Sequence, residues 1–307
     1  MTDAFGTASL VTMAALLGGV VASALLGSPA GRLGPSRQNY RGLHIPVNLG
    51  IVLATTVVAT RLLVLAVIAI AGGSLGLVLV AQLASVVVVL AGAFYDDLHP
   101  ERTRGVVRQL VALARGRITP GAVKLAAALG AGAVAVASVR GDGISYLLGI
   151  PMIAGFANLG NLLDVRTGRS IKFFVPVAVA MGVLEWPSQS MLLTAVTVGG
   201  ALAILPSDLQ ERGMLGDAGA FVLWITLGIG LYDAVARTGL AIGLGTVVGL
   251  HLLSETITLS RLIRWLPPLR WLDEVGRLQP FEAESPNVPE PDAAPLGPPG
   301  GDFPPSS

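Results

Sequence analysis

Two adjacent carboxylates, Asp96 and Asp97, follow a long apolar run from Leu75 to Phe94. The run is long enough to cross a bilayer as a helix, which places the acid pair at the level of the lipid headgroups. Carboxylates at that depth can hold a cation and a phosphate without being buried in hydrocarbon. The simpler alternative is that they end the helix and are solvated, so the other polar residues of the chain must decide between the two.

The composition indicates an integral membrane protein. Hydrophobic residues make up 53% of the chain, charged residues make up 13%, and the mean hydropathy is +0.73, whereas about a quarter of the residues of soluble globular proteins are charged. The net charge of +1 gives no electrostatic reason to expect nucleic acid as a partner. The absence of cysteine excludes thiol catalysis, disulfides and thiolate metal sites.

Long apolar runs predict an all-α, polytopic protein, a bundle of about nine to ten transmembrane helices. The first run lacks the positive flank of a cleavable signal, so we expect it to remain as a span. The predicted spans are residues 8–27, 46–71, 75–94, 121–138, 144–161, 171–185, 190–206, 216–232 and 239–259. Within the last span, Gly239–Gly249 is interpreted as a helix-packing face and not as a phosphate loop. Residues 1–278 would form the membrane domain, and the Pro-rich residues 279–307 a disordered cytoplasmic tail.

The basic residues divide unequally between the two sides of this topology. Seventeen Lys and Arg residues fall in or beside the loops on one side, and only Arg61, Arg140 and Arg237 on the other. The positive-inside rule therefore predicts an N-terminus outside and a cytoplasmic C-terminus. Arg61 falls inside the second span, so it must snorkel, face the protein interior or show that the span is misplaced. The sixth span is weak because Lys172 and Pro176 shorten its apolar centre.

Further polar residues fall at the same, cytoplasmic ends of the predicted spans: Asn158, Asn161, Asp164 and Asp217. Each could merely cap a helix, but together with Asp96 and Asp97 they predict one shared cavity. Its oxygen-only donors favour Mg²⁺ or Mn²⁺, and Mg²⁺ commonly binds one or two carboxylates together with substrate phosphates. Basic residues that could hold those phosphates are Lys124, Arg102, Arg104 and Arg169. For Lys124 the alternative is simple snorkelling to the membrane surface.

At these positions the chain resembles the polyprenyl-phosphate N-acetylhexosamine-1-phosphate transferases (glycosyltransferase family 4). This family includes the phospho-N-acetylmuramoyl-pentapeptide transferases and the enzymes that transfer GlcNAc-1-phosphate from UDP-GlcNAc to undecaprenyl phosphate. The similarity covers roughly residues 28 to 277. The matching segments are Ala93-Phe94-Tyr95-Asp96-Asp97-Leu98, similar to G-F-x-D-D; Asn158-Leu159-Gly160-Asn161-Leu162-Leu163-Asp164, similar to N-x-x-N-L-x-D; Leu205-Pro206 followed by Leu215-Gly216-Asp217-Ala218-Gly219, similar to L-P leading to G-D-x-G-S; the loop Asn39–Pro46; and Lys124.

The resemblance implies transfer of a sugar-1-phosphate from a UDP-sugar to a polyprenyl phosphate in cell-envelope glycan synthesis, with Mg²⁺ (or Mn²⁺) bound and UMP released. It implies a bacterial plasma membrane location with a cytoplasmic active face, and a homodimer is compatible with it. The implied roles are catalytic for Asp96, Asp97 and Asp164, substrate-binding for Lys124, Asn158, Asn161 and Arg41, and metal-binding for Asp217 and Asp97.

The chain departs from the family pattern at several positions. Thr167 stands where the family has a second acid, and Ala220 where it has a hydroxyl residue. The segment Pro268–Arg277 has no histidine where the family has a histidine-rich loop, and the family's last span is missing. His251 is interpreted as a packed or hydrogen-bonded residue. Two functions therefore remain open, an active transferase and a catalytically degenerate relative that binds lipid phosphate or acts as a scaffold. A transporter is disfavoured because the polar residues collect at one surface.

Overall fold

The structure is a computed structural model that describes residues 2–72, 77–98, 111–112, 114–139, 141–184 and 190–278. These residues contain eleven α-helices and one small two-stranded sheet. The helices are α1 Thr2–Gly27, α2 Leu49–Ile70, α3 Leu77–Leu98, α4 Pro120–Ser138, α5 Gly143–Leu163, α6 Arg169–Leu184, α7 Ser190–Leu209, α8 Gly216–Ala234, α9 Arg237–Thr256, α10 Leu259–Trp265 and α11 Pro267–Glu274. A 3-10 turn, Pro29–Arg32, precedes the antiparallel strands β1 Ser36–Gln38 and β2 His44–Pro46.

Eight of the helices, α1 to α5 and α7 to α9, are long and apolar enough to cross a membrane. Helices satisfy their own backbone hydrogen bonds, which is why an apolar chain can cross lipid in this form. The helical fold predicted from the sequence is thus confirmed, with eight membrane-length helices among the described residues where about nine to ten were predicted. α6 has only 16 residues and contains Pro176, so it falls outside this group. The second span begins at Leu49 and not at residue 46, because His44–Pro46 pairs with Ser36–Gln38 as a strand.

Successive helices alternate in direction, so their ends form two opposite surfaces. One surface, called the site end below, contains the ends of α3, α5 and α7 and the starts of α2, α4, α6 and α8. Backbone hydrogen bonds join its segments, from Leu49 N–H to the Met214 carbonyl (3.1 Å) and from Met214 N–H to the Pro46 carbonyl (2.8 Å). The opposite surface is called the far end. The sequence-predicted acids lie at the site end.

α8 is the central helix of the bundle. About 78% of its membrane-length window is buried, compared with 11% for α1 and for α9, and it packs against α2, α3, α5, α6 and α7. Glycine permits the closest of these approaches, because a β-carbon added at Gly50 of α2 would meet backbone atoms of Leu215 and Gly219. Small residues let helix backbones pack closely in lipid, where no hydrophobic effect drives helices together.

Arg61 faces the protein interior, which settles the choice that the sequence left open. Its Nη2 donates to Gln82 Oε1 (2.5 Å), Gln82 Nε2 donates to Ser190 Oγ (2.7 Å), and Ser190 Oγ donates to Asp233 Oδ2 (2.8 Å). This chain of hydrogen bonds joins α2, α3, α7 and α8 near the far end. It gives a buried guanidinium, 3% exposed, a polar environment inside the bundle.

We predict that Gly50→Ala destabilises the protein by about 1–3 kcal/mol, because the new methyl group has backbone atoms in its way. Gly245→Ala in α9 is the matched control, since a β-carbon there meets nothing within 4 Å. Thermal unfolding followed by circular dichroism in detergent measures both. Equal melting temperatures for the two variants would contradict the α2–α8 contact.

Candidate functional site

Lys124 is positioned by a well-formed helix start. Thr119 is the N-cap of α4, its Oγ1 accepting the Ala122 N–H at 3.1 Å, and Pro120 occupies the first helical position. Both residue types favour a helix beginning here, because the cap satisfies a free backbone donor and proline has none to lose. Lys124 therefore lies just inside the bundle and is only 7% exposed.

Lys124 joins two carboxylates that come from different helices. Its Nζ donates to Asp96 Oδ2 near the end of α3 and to Asp217 Oδ2 in the first turn of α8, each at 2.6 Å. Gly216, with a φ of +65°, turns the chain into α8, and the helix N-terminus further stabilises the negative charge of Asp217. The structure thus brings together three of the residues that the sequence singled out.

The surroundings of this Lys124 cluster (Asp96, Lys124 and Asp217) leave it accessible. The carboxylate side chains are 21% and 23% exposed, while the lysine side chain is 9% exposed. Lys124 Nζ lies 5.2 Å from the centre of the buried Phe221 ring, a cation–π contact that suits a partly desolvated ammonium. Arg37 of β1 interacts electrostatically with Asp217. The carboxylates of the cluster are therefore partly open to solvent, and the ammonium between them is nearly covered.

The donor set fits a Mg²⁺ ion. Within the described ranges no group of three or more His, Asp or Glu side chains is arranged to hold a metal, but Mg²⁺ commonly takes one or two carboxylates and completes its shell with water and phosphate. Asp96 and Asp217 supply such oxygens. Asp97, predicted as a catalytic and metal-binding residue, belongs to the last turn of α3, and its side chain lies outside the described residues.

Asp164 lies beside the cluster and not in it. It follows α5, is half-buried, and lines a small cavity of about 20 Å³. Asp208 and Thr167 also line this cavity, as does Leu215, two residues before Asp217. Asp208 Oδ2 accepts the Gly168 N–H at 3.0 Å, and Thr167 Oγ1 is buried without a hydrogen-bond partner among the described residues. Asn161 is half-buried on the last turn of α5.

Asn158 borders a different space. Its Nδ2 donates to His251 Nε2 at 2.8 Å, and His251 Nδ1 is 2.8 Å from the Val247 carbonyl, so His251 is hydrogen-bonded as expected. The two residues line an apolar groove of about 320 Å³ between α4, α5 and α9. Leu125, the neighbour of Lys124, also lines it. Adjacent residues of a helix point in different directions, so Leu125 and Lys124 share this end of α4 but not one face of it.

Arg41 is held in an ion pair. Its Nη1 donates to Glu211 Oε1 at 3.1 Å, and the same carboxylate accepts from Asn39 Nδ2 (3.2 Å) and Tyr40 Oη (3.4 Å). Glu211 has a φ of +55°, which is uncommon for a non-glycine residue. Three consecutive hairpin residues thus bind one loop carboxylate, and Tyr40 also lies 5.9 Å from the Arg166 guanidinium.

Arg169, predicted to hold phosphates, instead forms a buried ion pair with Asp273. Its Nε and Nη2 donate to the two carboxylate oxygens of Asp273 (2.8 and 3.0 Å), and its Nη1 donates to Ser260 Oγ (2.8 Å). The side chain is 1% exposed, so the prediction is wrong for this residue. Asp273 also accepts from Arg277 Nη2 at 2.7 Å. Arg102 and Arg104 lie outside the described residues.

The charges around Asp273 decide its protonation. Burial raises the pKa of Asp273, but the hydrogen bonds and positive charges of Arg169 and Arg277 outweigh it and hold the pKa below its usual range. Burial lowers the pKa of Arg277. These ionic contacts fix α11 against α6, in the segment where the resemblance had implied a histidine-rich loop.

The chain matches no model of a known protein family and no curated protein. The family resemblance therefore stays a prediction that rests on the motifs and their spacing.

Sequence reasoning missed Asp208, Glu211 and Asp273. Asp208 follows the L-P pair that was matched to the family motif, so its position at the end of α7 was a usable signal. Asp273 carried a signal too, because it lies on the polar side of an amphipathic segment. Glu211 had none, since its role depends on a backbone conformation that the sequence does not specify.

We predict that Lys124→Met destabilises the protein by about 3 kcal/mol when metal is chelated, because two carboxylates lose the ammonium between them. Mg²⁺ or Mn²⁺ should then raise the melting temperature of the variant more than that of the wild type, since a cation can replace the lost charge. Lys124→Arg is the control that keeps the charge. A Lys124→Met protein as stable as the wild type in chelator would contradict the role of this ion pair.

We predict that Asp273→Asn costs about 3–5 kcal/mol of stability at neutral pH, because it leaves two buried arginines without their counter-ion. Because the pKa of Asp273 is lowered in the folded protein, its stabilisation of the fold is complete above the pKa of an unfolded aspartate. This stabilisation is lost as the pH falls through the lowered, folded-state pKa. Glu274→Gln, the neighbouring acid in a surface pair with Arg270, should have little effect. Thermal unfolding of both variants measures the difference, and equal losses would refute the buried network.

Proposed function

We propose that this protein is a metal-dependent glycosyl-1-phosphate transferase that moves a sugar-1-phosphate from a UDP-sugar to a membrane polyprenyl phosphate. The observation that carries the proposal is the meeting of Asp96, Lys124 and Asp217, from three helices, at one end of a membrane-length bundle. A reaction between two phosphorylated molecules needs this combination of cation and carboxylates at a membrane surface, because charge stabilisation and positioning supply most of the catalysis.

The groove beside the cluster supports a lipid acceptor. It is lined mainly by apolar residues of α4, α5 and α9, among them Leu125, which follows Lys124 in the sequence. A prenyl chain lying in this groove would bring its phosphate to the Lys124 ammonium. Asn158 and His251, at its polar side, would contact the groups near that phosphate.

In the proposed topology the protein lies in a bacterial plasma membrane, its site end faces the cytoplasm and its N-terminus lies outside. Its support is the unequal distribution of basic residues along the sequence, by the positive-inside rule. UDP-sugars are cytoplasmic compounds, so a site on this side would meet its donor.

In the proposed reaction an oxygen of the lipid phosphate attacks the β-phosphorus of the UDP-sugar. A new bond forms between that oxygen and phosphorus, the bond to the oxygen bridging to the α-phosphate breaks, and UMP leaves. Lys124 would orient and neutralise the lipid phosphate, and Asp96 and Asp97 would position the metal or activate that phosphate. Asn161, Asp164 and Arg41 would contact the nucleotide. Mg²⁺ bound at Asp217 and Asp97 would offset charge on the donor pyrophosphate.

One observation favours a second candidate, a catalytically inactive relative that binds lipid phosphate or acts as a scaffold. The cavity at Asp164 and Thr167 measures about 20 Å³, whereas small-molecule sites usually measure about 300–1,000 Å³. A nucleotide would need the hairpin bound to Glu211 to move. The apolar groove for a lipid chain, in contrast, is already open.

We predict that the purified protein, given undecaprenyl phosphate, Mg²⁺ and a panel of UDP-sugars, releases UMP, and that Asp217→Asn lowers the rate at least about a hundredfold. Glu274→Gln is the control, a carboxylate at the same end that lies outside the cluster. Chelation with EDTA should stop the reaction. No UMP from any donor, together with saturable binding of undecaprenyl phosphate, would reject the enzyme and support the second candidate.

A further inference from the structure

The C-terminal helical segment of the described chain, α10 with α11, has polar residues on its inner side. It directly follows α9, the last membrane-length helix, and lies at the site end. Ser260 and Asp273 are buried and both bind Arg169. Lys172 of α6 donates to the backbone carbonyls of Asp273 and Val275. The segment is therefore attached to the bundle by charges and hydrogen bonds, together with the buried side chains of Leu259 and Ile263.

The outer side of the same segment carries its largest apolar groups. Trp265 is 62% exposed, Trp271 67% and Leu278 60%. Trp224, in contrast, is buried inside the bundle and donates to Ser170 Oγ. A helix that faced water would bury its indoles and expose its carboxylate, and this segment does the reverse. Indole rings on an outer surface are favoured where one end of the ring meets apolar groups and the other meets water.

The outer side is also basic. Arg261 and Arg270 are exposed, and Arg264 is half-buried. Of the two acids in the segment, Asp273 is committed to the inner arginines, while Glu274 forms a surface pair with Arg270 at 3.5 Å. Indole rings between arginines, next to the end of a membrane span, are typical of helices that lie in the headgroup layer.

We propose that α10 and α11 form an interfacial anchor that binds anionic phospholipids. Trp265 and Trp271 enter the boundary between headgroups and acyl chains, and Arg261 and Arg270 contact lipid phosphates. Each arginine near an anionic surface strengthens attachment about fivefold. This inference does not depend on the proposed enzymatic function, because it needs only the membrane position of α9. It also explains why the segment is locked to α6 by ion pairs, since lipid contact alone does not fix its orientation.

The depth of Trp271 tests the anchor. The chain has no cysteine, so Trp271→Cys carries a single spin label, and the full-length protein is placed in nanodiscs of phosphatidylcholine and phosphatidylglycerol. Val87→Cys on the exposed side of α3, at the middle of that helix, is the hydrocarbon control, and Leu43→Cys on the hairpin is the water control. We expect the label at position 271 to collide with oxygen and with Ni-EDDA at rates between those of the two controls. Collision rates equal to those of the Leu43→Cys label, or shielding from both reagents by a protein partner, would overturn the anchor.

The choice of lipid is tested separately. Phosphatidylglycerol should raise the melting temperature of the wild type above its value in pure phosphatidylcholine, and Arg261→Gln/Arg270→Gln should lose at least half of that rise. The charge-matched control is Arg115→Gln/Arg117→Gln, which removes two exposed arginines from the loop before α4. Equal losses in the two double variants, or no loss in the first, would overturn the assignment of anionic lipid to this segment.

Discussion

The ammonium group of Lys124 joins the ends of α3, α4 and α8, the three helices that form the candidate site. It lies 2.6 Å from carboxylates of α3 and α8, so three helix ends must meet where it sits. Without a cation between them, Asp96 and Asp217 would repel each other in a partly desolvated place, and repulsion is strong where water is scarce. The ammonium thus offsets this repulsion and holds the two helix ends together.

The two sides of the candidate site differ in how far they are preformed. On one side, an apolar groove of about 320 Å³ runs from Leu125 to His251. On the other side, the hairpin residues Asn39 to Arg41 bind Glu211 and leave about 20 Å³ beside Asp164. Arg41 is 32% exposed in this contact but Glu211 only 8%, so a ligand that displaced the hairpin would have to replace the hydrogen bonds of a buried carboxylate. Donor entry would therefore be coupled to hairpin movement, whereas lipid entry would not.

Much of the fold was predictable because an apolar run of about 20 residues is long enough to cross a membrane as a helix, and run lengths can be read from the sequence. Asp96, Asp217 and Lys124 were predictable as neighbours because each falls at the same end of its span. Asn158 was not predictable as a member of this cluster, because its position on α5 turns its side chain towards His251 and the groove.

Arg169 was misassigned because a sequence shows a charge but not its counter-ion. Asp273, over a hundred residues later in the chain, is the counter-ion of Arg169. The sequence could not decide whether Arg61 faces the protein interior for the same reason, because its hydrogen-bond partner Gln82, which in turn binds Ser190, lies on another helix.

The polar groups buried in this bundle fall into separate networks with different consequences. At the far end, Arg61, Gln82, Ser190 and Asp233 form a continuous chain in which each link joins a new helix, which suits a structural role. At the site end, Arg169 and Arg277 share Asp273 and are closed off from solvent. Among the buried networks of the described residues, the Lys124 cluster combines opposite charges with partly exposed carboxylates. Because binding a new charged molecule requires groups that solvent and ligand can reach, this difference in exposure, more than the number of acids, is what distinguishes it as the candidate site.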